Sequence, residues 1–281
     1  MRVIITGCRG QLGRQLMSCF ADQTCLGIDL PEDDIISPAV RERVAAFRPD
    51  LVVHAAAMTD VDRCEQDPSL AYRVNVLGTQ NIVLGAQDAG AAVMYVSTNE
   101  VFDGSRREAY WEWDDPSPIS VYARSKTAGE SIVRNLCSRF FIVRIAWLFG
   151  PGGVNFVTKI LAGARKHGAL RVAADEFGNP TYAPDLASAM ARLAATQHYG
   201  IIHLTNAGFC SRFDFAKEIV RLAGMSEIPI TPILSAEWPR PSVPPLHAVL
   251  SDAVASSIGL AMRPWGEALT DYLSTLSREV S

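Results

Sequence analysis

Val3-Ile4-Ile5-Thr6-Gly7-Cys8-Arg9-Gly10-Gln11-Leu12-Gly13 carries a β-branched run straight into three glycines, and a helical stretch from Gln11 to Phe20 follows. Strand, glycine turn and helix in that order form the opening unit of a dinucleotide-binding βα fold, with GxxGxxG standing as a variant of GxGxxG. Gly7 permits the tight turn, Gly10 lets backbone approach a pyrophosphate, and Gly13 lets the helix pack closely on the sheet. The pyrophosphate belongs at the helix N-terminus, where amide groups and the helix dipole favour negative charge. Asp29 ends the second expected strand, where a carboxylate accepts hydrogen bonds from ribose hydroxyls and repels a 2′-phosphate. Arg9, inside the loop, offers a guanidinium that pairs with such a phosphate. Asp29 favours NADH, and Arg9 keeps NADPH open.

Outward from this loop, apolar runs alternate with helical periodicity. Strands are expected at Val3–Thr6, Cys25–Ile28, Leu51–Val53, Ala92–Val96 and Phe141–Val143, and helices at Gln11–Phe20, Pro38–Phe47, Pro68–Ala89 and Val121–Leu136. Nearly all-apolar strands alternating with helices imply a parallel sheet covered on both faces. The fold class is therefore α/β, a doubly wound parallel sheet of Rossmann type, with its ligand crevice at the carboxyl ends of the strands. Residues 1–150 form the expected dinucleotide-binding domain, joined by about 182–197. Residues 151–281 supply mainly a smaller substrate-binding region, with helices at Asn155–Lys166, Asp185–Ala195, Arg212–Ala223 and Trp265–Ser277. The proline-rich stretch Trp238–Pro245 reads as an ordered loop or extended segment.

Composition removes several function classes. The 281 residues carry a net charge of −4, which argues against nucleic acid or an anionic membrane as a bulk partner. The N-terminus reaches a glycine turn too early for a signal-peptide core, and no apolar run approaches membrane-spanning length. Six cysteines lack any CxxC and any regular spacing, so they read as thiols in a reducing cytosol. The five histidines form no metal-ligand pattern. A cytoplasmic protein without a metal is expected.

Tyr122-Ala123-Arg124-Ser125-Lys126 places a phenol and an ammonium four residues apart, on one helix face. A tyrosine titrates near pH 10 when unaided. A neighbouring ammonium favours the phenolate and pulls that pKa toward the working range, so the pair is expected to act as a proton-transfer device.

A GxxGxxG loop at residue 7 with YxxxK at residue 122 resembles the extended short-chain dehydrogenase/reductase superfamily. Four further stretches resemble its dTDP-4-dehydrorhamnose reductase family: Arg48-Pro49-Asp50-Leu51-Val52-Val53-His54-Ala55-Ala56-Ala57, Thr59–Glu65, Ser97-Thr98-Asn99-Glu100-Val101-Phe102-Asp103-Gly104, and Asp175–Thr181. The likeness extends through Arg240-Pro241 to Trp265–Leu269. It implies that Gly10, Gln11 and Leu12 line the cofactor pyrophosphate, with Asp34-Ile35 flanking the adenine and Ala56, Ala57 and Met58 beneath the nicotinamide. It implies Thr98 and Asn99 at the sugar carbonyl, Trp147 against the sugar and Arg240 near the substrate diphosphate.

The implied reaction is reduction of a nucleotide-linked 4-keto-6-deoxysugar. Tyr122 is the expected proton donor, Lys126 supports the phenolate and the nicotinamide ribose, and Thr98 binds the carbonyl oxygen. A homodimer is the candidate assembly. Two residues depart from the family, which commonly reads Ser-Thr-Asp-Tyr where this chain has Ser97-Thr98-Asn99-Glu100. Asn99 lacks a charge, and Glu100 replaces an aromatic with an anion near an anionic substrate. The alternatives are a reductase or epimerase of another nucleotide deoxysugar, or a non-catalytic dinucleotide-binding regulatory subunit.

Overall fold

A computed structural model of the chain describes residues 1–279, so the last two residues of the expected C-terminal region lie outside the described residues. The first half runs β1 (Arg2–Thr6), α1 (Gln11–Cys19), β2 (Thr24–Ile28), α2 (Ala39–Phe47), β3 (Leu51–His54), α3 (Val61–Gln66), α4 (Pro68–Tyr72), α5 (Thr79–Asp88), β4 (Ala92–Thr98), α6 (Val121–Leu136) and β5 (Phe140–Ile145). It continues through β6 (Leu148–Phe149), α7 (Phe156–His167), β7 (Leu170–Ala173), β8 (Phe177–Gly178), β9 (Thr181–Tyr182), α8 (Ala183–Ala194) and β10 (Gly200–His203). The remainder is β11 (Asn206–Ala207), β12 (Cys210–Ser211), α9 (Arg212–Leu222), β13 (Ile230–Ile233), α10 (Ala253–Ser257), β14 (Met262–Pro264) and α11 (Trp265–Glu279).

Six strands form one parallel sheet in the order β10-β5-β4-β3-β1-β2. Alternate residues of each strand face opposite layers, as the two-residue period requires. Val3, Ile5, Leu51, Val53, Met94, Phe141 and Val143 pack with Leu12 and Leu16 of α1 and Leu186, Met190 and Leu193 of α8. Ile4, Val52, Val93, Tyr95 and Ile142 pack on the other side with α2, α5 and α6. This is why the strands read as continuous apolar runs. A third core, built on Phe149, Tyr182, Phe215, Leu269 and Tyr272, belongs to the smaller lobe formed by α7, α9 and α11.

The chain leaves β1 toward β2 and then crosses back to β3 on the other side of β1, so the winding reverses between β1 and β3. Ligands of open α/β sheets bind outside the strand ends at such a point. The register aligns Thr6 with His54, and His54 with Tyr95, which brings the loops after β1, β3 and β4 to one edge.

Three local features differ from the sequence reading. The expected helix Pro68–Ala89 is divided: Asp67 caps α4, Pro68 begins it, and Arg73–Gly78 widens into a π-helical segment before α5. Asp60 caps an additional short helix, α3, by accepting from the Arg63 amide at 3.0 Å. The sixth strand, β10, has only Ile201 and Ile202 as aliphatic residues and lies at the sheet edge, so its periodic signal is short.

Candidate active site

A cleft of about 1000 Å³ opens at the carboxyl ends of the strands. Its lining includes Gly7, Arg9, Gly10, Gln11, Leu12, Gly13, Asp29, Asp34, Ile35, Ala56, Ala57, Met58, Thr98, Asn99, Tyr122, Lys126 and Trp147, all singled out from the sequence. Arg240 is not part of that lining. It donates instead to Glu176 Oε1 at 2.6 Å, in the loop region beyond the cleft.

The glycine loop is shaped by close backbone approach. Gly7 has φ +66°, and a Cβ there would meet Ala56 backbone atoms at 2.9 Å, so the loops after β1 and β3 touch. A Cβ on Gly13 would stand 2.0 Å from the Gly7 carbonyl oxygen, and its absence lets α1 seat against the loop. Gly10 is the N-cap of α1 and brings no side chain to the first-turn amides, which therefore carry no side-chain cap. An anionic pyrophosphate fits this cradle, on the geometry of the glycines and the open amides together.

The end of the cleft beside β2 carries a carboxylate and a guanidinium. Asp29 accepts from the Arg9 amide at 2.8 Å and from the Leu30 amide at 2.9 Å, which fixes its carboxylate beside the loop. The Arg9 side chain pairs with Glu32 at 2.7 Å, with both groups more than half exposed, and also donates to the Leu30 carbonyl. An exposed pair of this kind is weak and can exchange partners. Ile35 is buried beneath Gly78, and Asp34 accepts from the Ile36 amide at 2.9 Å.

Asn75 was not found from the sequence. It lies buried in the π-helical segment, accepts from the Met58 amide at 2.8 Å, and donates to the Met58 carbonyl at 3.1 Å and to Ser125 Oγ at 2.9 Å. One side chain thus ties the loop after β3 to α6. The only sequence signal was an asparagine inside an otherwise helical run, where an amide competes with backbone bonding.

Ser120 caps α6, accepting from the Ala123 amide at 3.1 Å, and sets Tyr122 and Lys126 into the cleft wall. Tyr122 is 8% exposed and Lys126 is 3% exposed. The Lys126 ammonium sits 4.0 Å over the Tyr95 ring, a cation–π contact in a dry setting. Glu130 lies one turn further along the helix. Its carboxylate is held by Arg144 Nε at 2.9 Å, Arg144 Nη2 at 2.8 Å and Ser97 Oγ at 2.6 Å. Burial therefore dominates Lys126 and lowers its pKa to about 7, with Glu130 opposing.

The expected depression of the Tyr122 pKa by Lys126 does not occur. Burial and then the negative charge of Glu100 push the phenol well above its ordinary value, and hydrogen bonding with Thr98 only partly offsets them. Desolvation outweighs the lysine because an ammonium that is itself poorly solvated gives up charge. A phenol in this state keeps its proton at neutral pH, as a proton donor must.

Just past β5, Trp147 adopts φ +42°, with the Arg212 guanidinium 3.6 Å from its ring centroid. Gly178 lies against the ring, where a Cβ would approach to 2.6 Å. Asn99 is buried and donates to the Ala248 carbonyl at 2.9 Å, which ties its amide to the C-terminal lobe. Glu100 follows in the short 3₁₀ turn Asn99–Val101, with its amide bonded to Thr98 Oγ1 at 3.2 Å. Arg212 lines the cleft from the start of α9, and sequence reading missed it because the Ser211 cap announces a helix but not its distant neighbours.

A glycine loop at the sheet's switch point, facing a Thr98–Tyr122–Lys126 set, defines an oxidoreductase of the short-chain dehydrogenase/reductase class. The RmlD substrate binding domain model matches residues 1–278, and the chain belongs to that family. It is 34% identical over 279 residues to a spore coat polysaccharide biosynthesis protein of Bacillus subtilis, covering 98% of each chain. A solved dTDP-4-dehydrorhamnose reductase from Clostridium acetobutylicum superposes with a TM-score of 0.95 at 36% identity, covering 99% of this chain and 100% of that one. A dTDP-4-dehydrorhamnose reductase from Bacillus anthracis, solved in complex with NADP, gives a TM-score of 0.93 at 36% identity, covering 98% and 99% respectively.

Proposed function

We propose that this chain is an NAD(P)H-dependent reductase of a dTDP-linked 4-keto-6-deoxysugar, converting dTDP-4-dehydrorhamnose to dTDP-rhamnose. The observation that carries this reading is the convergence of Thr98, Tyr122 and Lys126 on one wall of a cleft whose other end is the glycine cradle. Family membership and relatives named dTDP-4-dehydrorhamnose reductase support the sugar. The NADP in the Bacillus anthracis relative supports use of the phosphorylated dinucleotide.

A bound reduced dinucleotide supplies the hydride for the ketone carbon. The Thr98 hydroxyl donates a hydrogen bond to the carbonyl oxygen as negative charge develops there. Tyr122 Oη gives its proton to the same oxygen. Lys126 stabilises the phenolate left behind and would hold the nicotinamide ribose of a bound dinucleotide. Trp147, held by Arg212 and Gly178, provides a flat wall for the sugar. The reading places the enzyme in the cytoplasm with a homodimer as its assembly, which sedimentation would check. No helix among the described residues is long and apolar enough to cross a membrane.

The test is stoichiometric oxidation of NADH and NADPH against a panel of nucleotide 4-ketosugars, with the product read by NMR. Tyr122→Phe should lower kcat by about 100- to 10,000-fold while dinucleotide affinity is largely kept. Turnover near the wild-type rate would remove Tyr122 from its role. A co-purifying dinucleotide with sugar inversion and no net oxidation would instead identify an epimerase.

A further inference from the structure

Resting on the ketosugar reading above, we infer that Glu100 is a specificity-determining residue, its carboxylate accepting a hydrogen bond from the sugar hydroxyl next to the reacting carbonyl. Glu100 stands two residues beyond Thr98, and its backbone amide is bonded to the hydroxyl expected to meet that carbonyl. Glu100 is among the residues that line the cleft. One carboxylate oxygen, Oε2, is enclosed and has no hydrogen-bond partner among the described residues. A buried acceptor without a donor carries a desolvation cost that a ligand donor can relieve.

The neighbouring charges show which donor fits. Arg212 lies over the Trp147 ring with Nε 3.9 Å from Glu176 Oε2, and Arg240 is bonded to Glu176 Oε1. Both guanidinium groups are directed to Glu176, so neither satisfies Oε2 of Glu100, yet both add positive charge around it. The two arginines balance the charges of Glu176 and Glu100, so a neutral hydroxyl completes Oε2 without adding an unmatched charge. A 4-keto-6-deoxysugar has such a donor on C3, while its C5 neighbour carries only carbon and ring oxygen. Burial first, with Glu176 adding to it and the two arginines opposing, raises the Glu100 carboxyl to about 7. A hydroxyl donor at Oε2 would favour the ionised form.

The experiment compares kcat/KM for a dTDP-4-keto-6-deoxyhexose and its 3-deoxy analogue, using wild-type protein and the Glu100→Leu and Glu100→Gln variants with saturating NADPH. The wild type should prefer the hydroxylated sugar by about 100-fold or more, because a site built around a substrate hydroxyl rejects an analogue that leaves its polar group unpaired. Glu100→Leu should collapse that preference to below about tenfold, mainly through KM for the hydroxylated sugar. Glu100→Gln keeps an uncharged acceptor and should fall between, and NADPH titration by fluorescence reports whether each variant is folded. A preference that is unchanged in both variants, or an equal loss on both sugars, overturns the inference and leaves Glu100 as a counter-charge to Arg212. Absence of wild-type turnover on either sugar overturns the ketosugar reading itself, and this inference with it.

Discussion

Glu130 serves two cations with one carboxylate. Arg144 takes both oxygens in a bidentate pair 1% and 3% exposed, and Ser97 adds a third bond. Lys126, four residues earlier on the same helix face, is left with only the residual field of that group. A buried pair broken on one side leaves its partner charged and unpaired. Glu130→Gln should therefore lower unfolding free energy by about 3–5 kcal/mol, read by urea denaturation, whereas an exposed substitution would move it little. At the other end of the cleft the charges are open to water and act on recognition. Asp29→Ala should raise the KM for NADH far more than that for NADPH, and an unchanged ratio in steady-state assays would refute its role at the ribose. Arg9→Ala should do the reverse, since its weak pair with Glu32 leaves it free to meet a 2′-phosphate.

Among the elements, α1 depends on its glycines more than on its apolar face. Gly13→Ala puts a methyl carbon 2.0 Å from the Gly7 carbonyl oxygen, a contact that backbone must relieve by moving. The first-turn amides would leave the cradle, and dinucleotide affinity should drop at least about tenfold in a fluorescence titration, with far-UV circular dichroism showing the sheet retained. This part of the site was legible because strand, loop and helix are contiguous, so local pattern and tertiary role coincide. The other central strands and α6 were legible for the same reason. What escaped the sequence depends on distance or on burial. The π-helical widening at Arg73–Gly78 turns Asn75 inward, and no periodicity distinguishes that from a continuous helix. Arg212 and Glu100 are 112 positions apart in sequence and come together only because the start of α9 and the turn after β4 line the same cleft. The Tyr122–Lys126 spacing was read correctly as one face of a helix, yet its electrostatics were reversed by burial that spacing does not reveal.

Across the whole molecule, the buried titratable groups set opposing slopes of stability against pH. His54 and His203 are held neutral, with pKa values lowered to about 3 chiefly by burial. The unfolded chain binds their protons below about 6.5 and the native one does not, so stability falls as pH drops through that range. Glu100, raised to about 7, acts the other way: native protein keeps a proton that the unfolded chain has released, and stability falls as pH rises from about 4.5 to 7. Lys126 governs the next window. Its native pKa of about 7 lies below its ordinary value, so between about 7 and 10 the unfolded chain binds more protons, and stability rises with pH. From about pH 8 upward the cysteines, pushed upward by burial, work against that rise, because the unfolded chain releases thiol protons that the native one keeps. The lysine is therefore isolated by difference, against Lys126→Met, which removes the charge but keeps most of the stem packed on Tyr95. In urea unfolding the variant should be more stable than wild type at pH 7, and its advantage should shrink by about 2 kcal/mol by pH 9. Parallel curves for the two proteins would mean that Lys126 keeps its ordinary pKa in the folded state, and that the proton-donor wall is less dry than its burial implies.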